Sequence, residues 1–334
     1  VASKENPIYR TVIYDGNTKY NITPAVTNIE FEDQEKQLAQ SVTITIMDMK
    51  ITSKGKWLTS ILKVRQRVYI YANDGSKDGE VFRGYIWTRQ YSRSNDGHEL
   101  DLKCYDNLIY LQESEDSLYF SKGKKTNAVM SSIAKRWGLS ISYSYSTITH
   151  GKLALRGTLS DIIISDILEP VRKKTGKRYV IQSIQDKLYV KPIGSNTTVY
   201  EIKAGQNAIS TKSEQNMEDM VTKVVILGKQ DNNNKYPVKA TVSKNTGTYG
   251  TLQKLQDIGD EKLAAAKKEA QATINENSSP KWLYEVTAVD IPWIRKGDKI
   301  KIKAGDIDKT LTVTSLERSI ENKKKTMTLT LKNW

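Results

Sequence analysis

The chain has 334 residues, of which 38% are hydrophobic, with 52 Lys or Arg against 38 Asp or Glu and a formal net charge of +14. That length allows two or three domains with separate cores, and no apolar run approaches the ~20 residues that a membrane-spanning helix needs. A single cysteine, Cys104, rules out an internal disulfide and fits folding in a reducing compartment.

The first residues, Val1 to Asn6, carry no apolar signal-peptide core, so no Sec export route is expected. Residues 9 to about 115 read as mostly β. Val42, Ile44 and Ile46 alternate with Thr43 and Thr45, and the same period of two recurs at Val68, Ile70 and Ala72 and at Leu100, Leu102 and Cys104. Asp15-Gly16, Asn73-Asp74-Gly75, Asp78-Gly79 and Asn95-Asp96-Gly97 supply turns between these strands. Short strands with such turns predict a small barrel or sandwich.

The character changes after residue 115. A helix is predicted from Thr126, with Val129, Met130, Ile133, Ala134 and Trp137 on one face and Gly138 closing it. A second is predicted from Ser160 as N-cap. Its apolar face is Ile163, Ile164, Ile167, Leu168 and Val171, and Thr175-Gly176 ends it. Pro170 should kink this helix or end it early. Two strands, 178–184 and 187–191, follow around a turn at Gln185-Asp186. Residues 116–203 thus form an α+β module, and it is basic: residues 118–203 hold 15 Lys or Arg against 5 Asp or Glu. Such a segment suits nucleic acid, an acidic protein or an anionic wall polymer, or is simply a solvated Lys-rich face.

Strand character returns at 221–227, and residues 230–235 form a polar loop expected to be mobile. The longest helical stretch, 260–275, is expected to be capped by Asp260 and to bury Leu263, Ala266, Ala270 and Ile274. A β-meander closes the chain. Lys299, Lys301 and Lys303 alternate with Ile300 and Ile302, so one face of that strand must meet water or an acidic partner.

The closing meander repeats an earlier one. Val68, Ile70 and Ala72 correspond to Ile300, Ile302 and Ala304; each run leads into a second strand (81–90 or 310–316) and then a third (99–104 or 326–331). Two such meanders point to a duplicated domain, although any two antiparallel meanders share this pattern.

No catalytic constellation is present. There is no Walker loop, GxGxxG, HExxH or GxSxG motif. The two histidines, His98 and His150, fall in a predicted hairpin turn and a loop. Cys104 occupies a core-facing strand position, which favours a buried structural thiol over a nucleophile. One Cys and two His make a zinc site improbable. Paired carboxylates for glycoside hydrolysis are defined by geometry rather than spacing. Tyr143 and Tyr145, which could stack bases, also fit an ordinary half-buried strand. No enzyme activity, cofactor or metal is therefore expected.

The run Phe82-Arg83-Gly84-Tyr85-Ile86, the segment Leu100 through Leu111, Tyr249-Gly250-Thr251-Leu252-Gln253, the Ala-rich stretch 264–272 and Ile294-Arg295-Lys296-Gly297-Asp298 come in an order that resembles a phage family. The chain is similar to baseplate hub proteins of contractile tails, in the branch found in PBSX-type prophages and tailocins of Gram-positive bacteria, within the late-control-D and T4-hub-like superfamily. The resemblance spans nearly the whole chain.

It implies a mainly β fold with α+β insertions: two tail-tube-like β-barrel domains, 1–115 and 204–334, around the module 116–203, with a helical insertion at about 253–276. It also implies a homotrimer whose ring has pseudo-sixfold symmetry and joins the hexameric tail tube to the trimeric spike. The implied partners are the tail-tube protein, the spike protein and other baseplate proteins of wedge or LysM type, with transient passage of DNA or tape-measure protein and no membrane. The particle would assemble in the host cytoplasm and leave by lysis. The candidate interface residues are Lys122, Lys124, Lys125, Arg172, Lys173, Lys174, Lys299, Lys301 and Lys303. The competing readings are a peptidoglycan-degrading tail enzyme, a nucleic-acid or wall-polymer binding module, and the single-barrel tail-tube protein. In one respect the first meander departs from the family pattern: it has Arg65-Gln66 where the second has Gly297-Asp298, so its entry turn is expected to be shaped differently.

Overall fold

A computed structural model describes residues 6–51, 55–94, 97–258, 262–321 and 324–333. The expected helix cap Asp260 and the Asn95-Asp96 part of one turn lie outside them. The chain divides into a larger unit, built from residues up to 172, 177–212 and from 284 onwards, and a smaller one of residues 173–176 and 213–283.

In the larger unit the first meander extends into seven strands: β1 (Ile8–Asp15), β2 (Thr18–Asn21), β3 (Val26–Asp33), β4 (Ser41–Met47), β5 (Arg67–Asn73), β6 (Asp78–Ser94) and β7 (Gly97–Tyr105). A one-turn helix, α1 (Leu58–Ile61), precedes β5. The alternation read from the sequence sets the faces. Val42, Ile44, Ile46, Val68, Ile70 and Ala72 are all fully buried in one core, together with Leu100, Leu102 and Cys104. Burial pushes the Cys104 thiol well up, as befits an inert core residue. His98 lies in β7 rather than in the turn, and its Nδ1 pairs with the Tyr91 hydroxyl.

The middle segment holds α2 (Ile109–Gln112), β8 (Glu115–Phe120), α3 (Thr126–Arg136), β9 (Ser140–Tyr143), β10 (Leu153–Thr158), a helix α4 over residues 159–175, β11 (Tyr179–Ile184) and β12 (Lys187–Pro192). α3 ends as expected, with Gly138 left-handed at φ 67°. α4 differs from expectation in two ways. It starts at Leu159 with Thr158 at the cap position, and it runs on past Pro170 to Thr175. Instead Ile162–Leu168 widens into a π-helix just before the proline. A π turn re-pairs carbonyls near a residue that has no N–H to donate. Gln185 and Asp186 both take positive φ, making the tight turn between β11 and β12. The core of this segment also draws in Leu38, Ala39, Leu108, Ile109 and Leu111.

Two further strands follow, β13 (Glu201–Lys203) and β14 (Ala208–Asn216). The smaller unit contains β15 (Lys223–Leu227), flanked by β16 (Val238–Ser243) and a parallel β17 (Gln253–Asp257). Its helix α5 (Leu263–Asn277) buries Ala266, Ala270 and Ile274 against Val224 and Ile226, while Leu263 is exposed. The landmark at 249–253 is held here by buried Thr222, whose hydroxyl donates to Gly250 O and accepts from Leu252 N. The polar loop at 230–235 is folded back on Asp231, whose carboxylate accepts from the amides of Asn233 and Lys235.

The chain closes with β18 (Lys281–Val289), β19 (Lys299–Ala304), β20 (Ile307–Glu321) and β21 (Lys325–Lys332). Among the described residues thirteen strands join in one sheet, ordered β14-β18-β21-β20-β3-β4-β7-β6-β5-β1-β2, with β19 on β20 and β13 on β19. The architecture is mainly β, as expected. β3 and β20 make the bond between the two halves, with Asn28 to Asp33 antiparallel to Leu316 to Glu321.

Gly297 marks a point of close approach: φ is 86°, and an added Cβ would sit 2.6 Å from Val180 Cγ1. Gly297→Ala is expected to cost about 2 kcal/mol or more, from left-handed strain and overpacking together, measured by denaturant unfolding.

Candidate assembly interface

The two meanders match bond for bond. Arg65 N donates to Ile86 O at 2.6 Å, and Gly297 N to Val313 O at 2.8 Å. Ile86 N returns to Gln66 O at 3.0 Å, as Val313 N does to Asp298 O at 2.8 Å. The side chains correspond as well. Lys63 N donates to Gln66 Oε1 at 2.8 Å, and Arg295 N to Asp298 Oδ2 at 2.9 Å. Each second strand then bulges one residue later, at Trp87 in β6 and at Thr314 in β20. The strand before each turn obeys the same rule: Asp48 N donates to His98 O, and Asp290 N to Lys325 O. Thr45 bonds Asp101 across the strands, where the other half has Thr287 facing Thr328.

The expected difference between the entry turns is therefore not found. Arg65 takes φ 69°, in the same left-handed region as Gly297. A non-glycine residue there costs about 1–2 kcal/mol. The cost is offset by the Arg65 guanidinium, which bonds the Tyr110 hydroxyl at 3.0 Å and lies over the Tyr85 and Tyr110 rings. Gln66, one methylene longer than Asp, still reaches the amide that closes the turn.

The two halves are locked together by buried polar groups. Arg318 Nε donates to Asp290 Oδ1 at 2.8 Å, with both side chains almost wholly buried. Its Nη2 donates to the carbonyls of Ile291 and Ile294. The Tyr9 hydroxyl, from the first half, donates to the other Asp290 oxygen. Burial pushes the Asp290 carboxyl up against the pull of Arg318, and burial and the Asp290 charge push the Tyr9 phenol well up. Lys296 Nζ pairs with Asp33 Oδ1 at 2.5 Å and donates to the carbonyls of Gln34 and Gln37. Trp293 Nε1 donates to Asp74 Oδ2 at 2.6 Å, and Lys77 Nζ stands 4.1 Å from the Trp293 ring centre. The bond from Trp293, with others from Ser76 and Lys77, holds the Asp74 carboxyl below its ordinary value despite some burial. The sequence reading missed this set. A signal existed: Arg318 stands between Leu316 and Ile320 in a strict alternation, where a core residue belongs.

The basic candidates occupy three separate elements. Lys122, Lys124 and Lys125 are exposed in the turn leading into α3. Arg172 pairs with Glu169 at 2.6 Å, beside a cleft of about 420 Å³ also lined by Asp161, Lys296 and Gly297. Lys173 and Lys174 follow it, both exposed, with Lys173 3.0 Å from Glu269. Lys299, Lys301 and Lys303 are half-buried on β19. Glu201, on the parallel β13, lies 3.8 Å from Lys301 and 3.9 Å from Lys303. The acidic partner expected for that face is thus partly within the chain. His150 is buried, with its Nε2 2.9 Å from the Thr126 hydroxyl. Among the described residues no cluster of His, Cys, Asp or Glu could hold a metal, and no helix is long and apolar enough to cross a membrane.

Comparison with known proteins follows this architecture. A family model described as YQBQ-like matches residues 29–332. The chain belongs to the YQBQ-like family. It is 27% identical over 284 residues to the phage-like element PBSX protein XkdQ of Bacillus subtilis (strain 168), covering 81% of this chain and 85% of that protein. Its fold is shared with the tail protein from Neisseria meningitidis MC58, with TM-score 0.71, 15% identity, and 97% and 96% of the two chains covered. It is also shared with the E. coli c3393 protein, a component of the type VI secretion system described as structurally similar to the T4 bacteriophage tail proteins gp27 and gp5. There the TM-score is 0.59 at 9% identity, covering 97% of this chain and 76% of that one.

One outcome tests the polar lock, and another a separate buried carboxylate. Arg318→Ala leaves Asp290 buried without its cation and is expected to cost about 3–5 kcal/mol, read from denaturant midpoints. Asp106, buried where its carboxylate accepts from the amides of Gln40 and Leu108, is pushed by burial up to about 7. In the unfolded chain this group ionises near about 4, so between those values the folded state binds the extra proton. Its contribution to stability is therefore greatest at low pH and is lost as pH rises from about 4 to 7. Asp106→Asn is expected to flatten the fall in stability between about pH 4 and 7, measured as the denaturant midpoint at each pH for both proteins.

Proposed function

We propose that this chain is the structural hub of a contractile-tail baseplate or tailocin, a homotrimer without enzymatic activity. Its ring of six similar units joins the hexameric tail tube to the trimeric spike. The observation that carries this reading is the bond-for-bond duplication, from the Lys63–Gln66 and Arg295–Asp298 turns to the bulges at Trp87 and Thr314. A duplicated unit gives three chains six equivalent faces, which is how a threefold object can meet a sixfold one. The kinship with a PBSX phage-like element protein and the fold shared with tail proteins support the same setting.

In this reading 1–115 and 204–334 supply the tube-like domains and 116–203 decorates the ring. The partners are the tail-tube protein, the spike and baseplate proteins of wedge or LysM type, and DNA or tape-measure protein passes through. Lys122, Lys124 and Lys125, with Lys173 and Lys174, offer positive contact surfaces to those partners. The protein works inside the tail particle, assembled in the host cytoplasm and freed by lysis.

The solution mass of the purified chain across a concentration series, alone and with its tail-tube protein, tests the proposal. A defined trimer that binds the tube protein is expected. A monomer under both conditions would overturn it.

A further inference from the structure

Each chain contains one complete junction between its two halves and the separate sides of another. In β20 the far half of the strand, Leu316 to Glu321, is paired on both edges, with β21 on one side and β3 on the other. The bulges and cross-strand bonds described above make Arg89 to Ser94 of β6 the counterpart of Leu316 to Glu321. That stretch pairs with β7 from Arg89↔Leu102 to Ser94↔Gly97. β5, its other neighbour, reaches only as far as Tyr85. Among the described residues, the second edge of β6 from Arg89 to Ser94 carries no strand.

The counterpart of β3 is β14. The orders β3-β4-β7-β6-β5 and β14-β18-β21-β20-β19 run in parallel, and among the described residues β14 ends the sheet with β18 as its single neighbour. Val289 N donates to Asn207 O, joining the end of β18 to the entry of β14. The end of β4 meets the start of β3 in the same way, with Ile46 opposite Val26. Apolar side chains stand exposed at both open edges: Trp87 at 40% and Tyr91 at 44% on β6, and Ile209 at 55% on β14. A long open edge with exposed apolar side chains is a template for another strand and is normally covered.

We propose that β14 of one copy adds antiparallel to Arg89–Ser94 of β6 in a second copy, just as β3 adds to β20 within the chain. The contact is heterologous, so repetition yields a closed ring or an open filament. The pairing itself stands on the internal duplication; its closure at three copies rests on the hub reading above.

Cysteine cross-linking across the full chain tests it. Ser92→Cys is combined in turn with Ser210→Cys, Thr211→Cys and Lys212→Cys under mild oxidation; Cys104 is buried and stays in place. The expected result is covalent dimers and trimers on a non-reducing gel. They should be strong at positions facing the same side of the sheet and weak at the alternating ones, since side chains change face at every residue. A mixture of the Ser92→Cys chain with the partner single variant should stop at the dimer. No cross-link at any position, in a sample whose reduced form has an oligomeric mass, would overturn this pairing and leave the hub reading standing. A monomeric mass at every concentration, alone and with the tail-tube protein, would overturn both.

Discussion

The architecture depends on the continuity of one sheet through β3 and β20. Two strands nearly 300 residues apart in sequence share six paired positions, and beside them the carboxylate of Asp290 is shared between Arg318 and Tyr9. A buried ion pair of this kind adds little net stability over an apolar substitute, yet it is costly to break from one side. It also fixes geometry: Arg318 must satisfy Asp290 and two carbonyls at once, which sets how the segment before β19 enters the core. Lys296, bonded to Asp33 and to two carbonyls just beyond β3, repeats the arrangement on the other side of the same turn.

Around that junction the same backbone is made twice from different side chains. The entry turn needs a left-handed residue followed by an acceptor that caps the amide three residues before it. Glycine and aspartate supply these in the second half, arginine and glutamine in the first. The glycine is demanded by Val180, which leaves no room for a Cβ. The arginine is tolerated because its side chain lies on two tyrosine rings. Duplicated geometry can thus outlast duplicated sequence, because hydrogen bonds constrain atoms rather than residue types.

Much of the fold was legible in advance. Period-two alternation named the core residues of β4, β5, β7 and β19, since a strand with one buried face leaves that pattern directly in the sequence. α3, its glycine stop and the turn at Gln185-Asp186 were legible for the same local reasons. Two local expectations about α4 gave way. Pro170 does not break α4, because the π turn before it absorbs the missing donor. Ser160 does not cap α4, because the helix already begins at Leu159. Of the candidate residues, the lysines of β19 were correctly placed on a polar face, but Glu201 reaches that face from a parallel strand nearly a hundred residues away in sequence.

The sequence by itself determined the class of fold, the repetition of the meander and the absence of recognisable catalytic or metal-binding motifs, because these are written in local period and residue type. Only the tertiary structure decided that the two halves share one sheet, that Arg318, Asp290 and Tyr9 meet, and that one edge of each half is covered unequally. Those facts depend on pairings between residues far apart along the chain, and the alternation that makes a strand is the same whichever strand comes to lie beside it.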